Sequence, residues 1–146
     1  MILFLDHAWS EEMRGFFAAE EEALESGDLE GATDVNVEFW LPDATEAVRG
    51  AIREQQLNAF RLQADDEAED SLLTEDFLGA LPTLDVPTVV LTGEDDKADF
   101  QAIADRLTAM LPDARRAVVA GAGHLPSLER PEGFDAIVLP FLEGRA

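Results

Sequence analysis

Gly121-Ala122-Gly123-His124-Leu125-Pro126-Ser127-Leu128-Glu129-Arg130-Pro131-Glu132-Gly133-Phe134 reads as a strand end that delivers a histidine, followed by a helix. Upstream of it, Val86-Pro87-Thr88-Val89-Val90-Leu91-Thr92-Gly93-Glu94-Asp95-Asp96 reads as a buried strand that delivers an acid. An acid after one strand and a histidine after the next, in that order, form the second half of a nucleophile–acid–base triad. The nucleophile belongs earlier, on a strand-to-helix elbow of the form G-x-S-x-G. The one pair of glycines at that spacing is Gly27 and Gly31, and the residue between them is Leu29. The serines are Ser10, Ser26, Ser71 and Ser127, and none sits on such an elbow. Ser127 follows Pro126 at a helix entrance and reads as local capping.

Working outward, residues 1–5 are a short, continuously apolar run, the pattern of a strand covered on both faces. A buried strand at a first residue is unusual, because termini are normally exposed. The expectation is that the chain begins in the middle of a fold. Ser10 is placed to cap a helix, with Glu11 and Glu12 in its first turn. Gly27 stops that helix and Asp28 starts a second, which Pro42 ends. Residues 44–64 read as a third helix, with Val48, Ala51, Ile52, Gln55, Ala59 and Leu62 along one stripe. An acidic loop, 65–70, leads to a short helix over 71–80. Strands follow over 86–91 and 116–120, with a helix over 98–111 between them. A last helix over 131–143 turns Phe134, Ile137, Val138, Phe141 and Leu142 inward. The order is strand, helical insert, then strand–helix–strand–helix, which is an α/β class with a parallel sheet.

Composition narrows the function classes. The 146 residues are 47% hydrophobic, which argues against general disorder. No run of 18 apolar residues spans a membrane, and Met1-Ile2-Leu3-Phe4-Leu5-Asp6 lacks the basic flank of a signal peptide. There is no cysteine, hence no disulfide framework or thiolate metal site, which fits a cytoplasmic protein. Net charge is −22, from 32 acids against 10 bases. Residues 1–80 carry most of it, with 21 acids against 4 arginines. A surface this negative repels DNA, RNA and anionic lipid, so neither nucleic acid nor membrane is an expected partner. It reads as a solvated, solubilising surface suited to a salt-rich setting.

The motifs V-P-T-x-V-L-x-G-x-x-D and G-A-G-H-x-x-x-x-E-x-P-x-x-F, in this order, resemble the C-terminal half of an α/β-hydrolase. The resemblance covers essentially the whole chain and is strongest over residues 84–143. It implies a partial α/β-hydrolase fold with three parallel strands, 1–5, 86–91 and 116–120. Residues 1–8 and 81–146 then form the C-terminal part of the core, and residues 9–80 a helical cap. Asp96 matches the triad acid and His124 the triad base. The W-S-E-E-M-R-x-F-F opening of the cap looks most like the esterases and lactonases near 3-oxoadipate enol-lactonase. The implied activity is hydrolysis of a small-molecule carboxylic ester or related bond. The oxyanion loop and nucleophile elbow of that family have no counterpart in these residues, so the chain alone is expected to be inactive. The small-molecule substrate is then a partner only once an N-terminal half completes the site. The strand at 1–5 is an apolar edge open to pairing, so a homodimer through it is also expected. The alternative is a non-catalytic binding or assembly module derived from a hydrolase.

Other readings attach to single residues. A histidine between glycines has room to reach a nucleophile, and its ordinary pKa suits a general base at neutral pH. Asp96 would hold the other ring nitrogen and stabilise the imidazolium. Glu94 and Asp95 read as solvated. Glu94, Asp95, Asp96 and Asp99 offer oxygens to a hard cation but lack the spacing of a calcium loop. Two histidines without cysteine make zinc unlikely, and no glycine fingerprint for a nucleotide is present, so no cofactor or metal is expected. His7 follows the first strand, where it either lines the pocket or is a loop residue without a role. Trp9, Phe16, Phe17, Phe39 and Trp40 are the aromatics of the insert, mostly packing between its helices.

Overall fold

The computed structural model describes residues 7–64 and 77–144. The chain divides into two compact units, Trp9–Leu73 and Met1–Ala8 with Thr74–Ala146. The expected strand at 1–5 and the acidic loop lie outside the described residues.

The first unit contains α1 (Glu11–Glu25), α2 (Leu29–Trp40) and α3 (Glu46–Ala64). The Ser10 hydroxyl accepts the Met13 amide at 3.2 Å and opens α1, as its sequence position predicts. At the other end Gly27 takes φ +76°, its amide bonds Leu24 O at 3.0 Å, and the Asp28 amide reaches Ala23 O at 2.9 Å. This pair of bonds is the Schellman arrangement, which needs a left-handed residue at the position glycine fills. Asp28 then accepts the Gly31 amide at 2.9 Å and caps α2, so two residues turn the chain back on itself. The Gly27/Gly31 pair is thus the hinge of a helical hairpin.

Phe16 packs between α1 and α2. Its ring stacks on Phe39 at 4.3 Å and meets Trp40 edge-on at 5.1 Å. Trp9 stands edge-on to Phe17 at 5.3 Å. Such pairs contribute about 1 kcal/mol each beyond the area they bury. Asn36, buried on α2, donates to the Glu20 carboxylate of α1 at 2.7 Å and to Ala32 O at 3.0 Å. Arg53 of α3 donates to Asp34 of α2 at 2.7 Å, and this bond raises the guanidinium above its ordinary pKa.

The stripe expected on α3 is displaced. Leu57 and Phe60 are its buried residues, whereas Ala51 and Gln55 are exposed and Leu62 is 65% exposed. Periodicity alone does not choose the inward face, since Leu62 is as large as Leu57 and yet stays exposed.

The second unit contains α4 (Phe77–Ala80), a 3-10 turn (Leu81–Thr83), β1 (Thr88–Gly93), α5 (Ala98–Met110), β2 (Ala114–Val119), α6 (Pro126–Glu129) and α7 (Pro131–Leu142). β1 and β2 pair in parallel, from Thr88 opposite Ala114 to Gly93 opposite Val119. Both strands lie two residues or so from where the sequence puts them. Pro87 has no N–H to give a ladder, so pairing starts at Thr88, whose amide bonds Asp113 O at 2.8 Å. Val86, expected in the strand, is 53% exposed.

α5 buries Ile103 and Ala104, adjacent residues of its inward face. Burying the isoleucine contributes roughly 1.5–3 kcal/mol. Arg116 of β2 reaches toward α5 and donates to Thr92 Oγ1 and Gln101 Oε1 at 2.6 Å each, and to Asp105 at 3.1 Å. Gln101 in turn donates to Gly93 O at 2.6 Å, tying α5 to the end of β1. The helix expected over 131–143 is α7, and an unexpected one-turn helix, α6, precedes it. Leu142 is 71% exposed rather than inward. α6 has Leu125 as its N-cap and no side-chain cap bond, so Ser127 does not cap it.

Candidate active site

Two loops leave the sheet at the same end, residues 94–97 after β1 and residues 120–125 after β2. Backbone geometry locks them together. The Glu94 amide donates to Val119 O at 2.9 Å and the Asp95 amide to Ala122 O at 2.8 Å. The Glu94 carboxylate accepts the Gly121 amide at 2.9 Å. Glu94 is exposed, but it is not merely solvated as expected. Gly121 takes φ +62°, which bends the second loop over the first.

Gly93 makes the approach possible. A Cβ at this position would lie 2.1 Å from the carbonyl oxygens of both Ala122 and Gly123. Those atoms are backbone and cannot rotate away. The glycine of V-L-x-G-x-x-D is therefore a close-approach residue, a role that spacing alone does not reveal.

This knitting brings Asp96 and His124 together. His124 Nδ1 lies 2.9 Å from Asp96 Oδ1. The Asp96 side chain is 4% exposed and that of His124 28% exposed. Asp96 Oδ1 also accepts the Lys97 amide at 2.8 Å. Of the adjacent acids, Asp96 is the one turned to the histidine, while Asp95 is exposed. Phe100, on α5, stands edge-on to the imidazole at 4.6 Å.

Glu129 is the residue that sequence reasoning quoted without giving it a role. Its Oε2 accepts the Gly123 amide at 3.1 Å and its Oε1 the Leu125 amide at 2.9 Å. The signal was available, since a glutamate one helical turn after a helix start reaches back to amides at that start.

His7 and Asp99 form a second pair. His7 Nε2 lies 2.8 Å from Asp99 Oδ1, with Asp99 5% exposed. His7 is therefore a loop residue held by a buried carboxylate. Asp99, grouped in sequence with Glu94, Asp95 and Asp96, faces His7, so three of the four acids, Glu94, Asp96 and Asp99, turn to separate partners. Among the described residues no three His, Cys, Asp or Glu side chains converge as metal ligands. No helix among them is long and apolar enough to cross a membrane.

A carboxylate on Nδ1 fixes the ring and its tautomer and stabilises the protonated form, which is what a general base needs from its partner.

One 74-residue stretch is 40% identical to polyketide synthase ThaQ of Burkholderia thailandensis, covering 51% of this chain and 4% of that protein. A 65-residue stretch is 37% identical to carboxylesterase YbfK of Bacillus subtilis, covering 44% of this chain and 22% of that protein. The solved structure of that carboxylesterase superposes with a TM-score of 0.61 at 21% identity, over 94% of this chain and 47% of that one. MenH from S. aureus superposes with a TM-score of 0.65 at 18% identity, over 96% of this chain and 56% of that one. The chain thus spans about half the length of these solved structures, and at these identities the likeness speaks for fold alone. Residues 3–137 match the profile of the alpha/beta hydrolase family, and this chain belongs to it.

Proposed function

We propose that these residues are the cap and C-terminal part of a serine hydrolase of esterase or lactonase type, with Asp96 as triad acid and His124 as triad base. The observation that carries the reading is the 2.9 Å contact between His124 Nδ1 and a nearly buried Asp96. With Nδ1 turned to the carboxylate, base chemistry falls to Nε2. The serine hydroxyl attacks the ester carbonyl as Nε2 takes its proton, and the same nitrogen returns that proton to the leaving alcohol. Asp96 keeps the ring oriented and balances the imidazolium charge. The match to a carboxylesterase over 65 residues supports an ester-type bond.

The nucleophile and oxyanion donors belong to chain outside these residues, so the chain alone is inactive. Residues 1–8 and 81–146 then serve as core and residues 9–80 as cap, in a cytoplasmic enzyme. Taken by itself, the chain self-associates through the apolar run at residues 1–5.

The test uses a fluorophosphonate probe, which labels activated serines covalently, together with short-chain p-nitrophenyl esters. The 146-residue chain should be neither labelled nor active. The chain extended by whatever coding sequence lies upstream of Met1 should be labelled once and turn over. Turnover by the short chain, abolished by His124→Ala, would sink the claim that it lacks a nucleophile. An extended chain that carries an elbow serine yet takes no label would favour the non-catalytic binding module.

A further inference from the structure

We propose that Glu129 is a positioning residue for His124, its carboxylate spanning the histidine's backbone and fixing the direction in which the imidazole leaves the chain. The proposal rests on the reading of His124 as the base. The two amides that Glu129 accepts, Gly123 at 3.1 Å and Leu125 at 2.9 Å, directly flank His124. Each oxygen takes one amide. The backbone on both sides of the base is therefore held by one rigid group, while Asp96 holds the ring.

Helix capping alone does not account for this. Leu125 is the first residue of the α6 cap, and a side chain one turn later reaching back to its amide is ordinary. The Gly123 amide is different, because it precedes the histidine and lies outside the helix. Glycine at 123 is part of the device. A Cβ there would stand 3.1 Å and 3.2 Å from the two carboxylate oxygens. Such an atom would crowd the carboxylate, which would have to give by a few tenths of an ångström.

The chemistry selects a carboxylate. Two donors from different directions need two acceptors, and an ionised carboxylate supplies both with charge-assisted bonds. A glutamine in the same place supplies one acceptor and one N–H, which would face another N–H. Below the sheet end, Glu94 on the Gly121 amide makes a similar but single contact. The base is held by the carboxylates of Asp96 at its ring and Glu129 at its backbone, with Phe100 against its edge.

The test is amide exchange and imidazole NMR on the 146-residue chain, comparing wild type with Glu129→Gln. The expected result is a helical 126–129 segment, with Gly123 and Leu125 amides exchanging about tenfold faster or more. The His124 Nδ1 proton should also move or broaden, because the ring has lost its fixed origin. Asp96→Asn should disturb that ring proton but leave the two amides protected. Unchanged exchange at Gly123 and Leu125, or freed amides with an unmoved ring proton, would overturn the proposal.

If Glu129→Gln does not fold, wild type decides. The Gly123 and Leu125 amide protons should titrate together with the Glu129 carboxyl carbon. They should do so also after Glu94→Gln and Asp96→Asn, the other acids at these loops, and Arg130→Gln, the cation beside Gly121. Independent titration would overturn the clamp. No substrate is needed, so failure here leaves the hydrolase reading standing, and failure of hydrolysis leaves the clamp standing.

Discussion

At Gly93 the demand for glycine is steric rather than conformational. Two backbone carbonyl oxygens stand 2.1 Å from the position of a Cβ, and neither can rotate away. Gly93→Ala therefore forces the loops of Asp96 and His124 apart. It should lower the unfolding free energy by about 3 kcal/mol, the upper range for overpacking, because the obstacle is backbone. Denaturant unfolding measures that loss, and the His124 Nδ1 proton should lose its Asp96 partner in the same variant. Gly15, with open space around its missing Cβ, is the control, and Gly15→Ala in α1 should be neutral or stabilising.

At the scale of elements, the helix ends were legible because they are decided by side chains close in sequence. Ser10 and Asp28 accept amides three residues on, and Gly27 takes the left-handed turn that its position implies. Ser10→Ala should cost about 1 kcal/mol, read as a lower urea midpoint for the helical unit. The strands were legible as elements but not in their bounds, since a missing N–H at Pro87 and a close approach at Gly93 fix them. Asp96 and His124 were legible because each follows a strand at a fixed offset. Glu94 on Gly121, Glu129 on both neighbours of His124, Phe100 on the ring and His7 on Asp99 were not assigned. Each is a contact between elements or a backbone bond, and neither leaves a periodicity. The α3 stripe failed for a related reason, because the partners that bury Leu57 and Phe60 are elsewhere in the chain.

At the scale of the whole molecule, 32 acids against 10 bases set the charge at −22. Among the described residues, ion pairs such as Arg53 with Asp34 and Arg116 with Asp105 neutralise only a few of those acids. Raising salt from about 0.05 M to about 1 M shortens the screening length from more than 10 Å to roughly 3 Å. Thermal unfolding should therefore move upward by several degrees across that range, whereas a salt-insensitive midpoint would show that self-repulsion is not the penalty.

The chain has two histidines, and each faces a nearly buried aspartate, His124 with Asp96 and His7 with Asp99. Only the first pair follows the two strands in triad order. The most direct measurement is ester turnover by the completed hydrolase carrying His124→Ala or His7→Ala, corrected for folded protein. The account predicts a loss of about 10⁴-fold or more for His124→Ala. His7→Ala should stay within tenfold of wild type. Retained turnover in His124→Ala, or collapse only in His7→Ala, would contradict the assignment of the base.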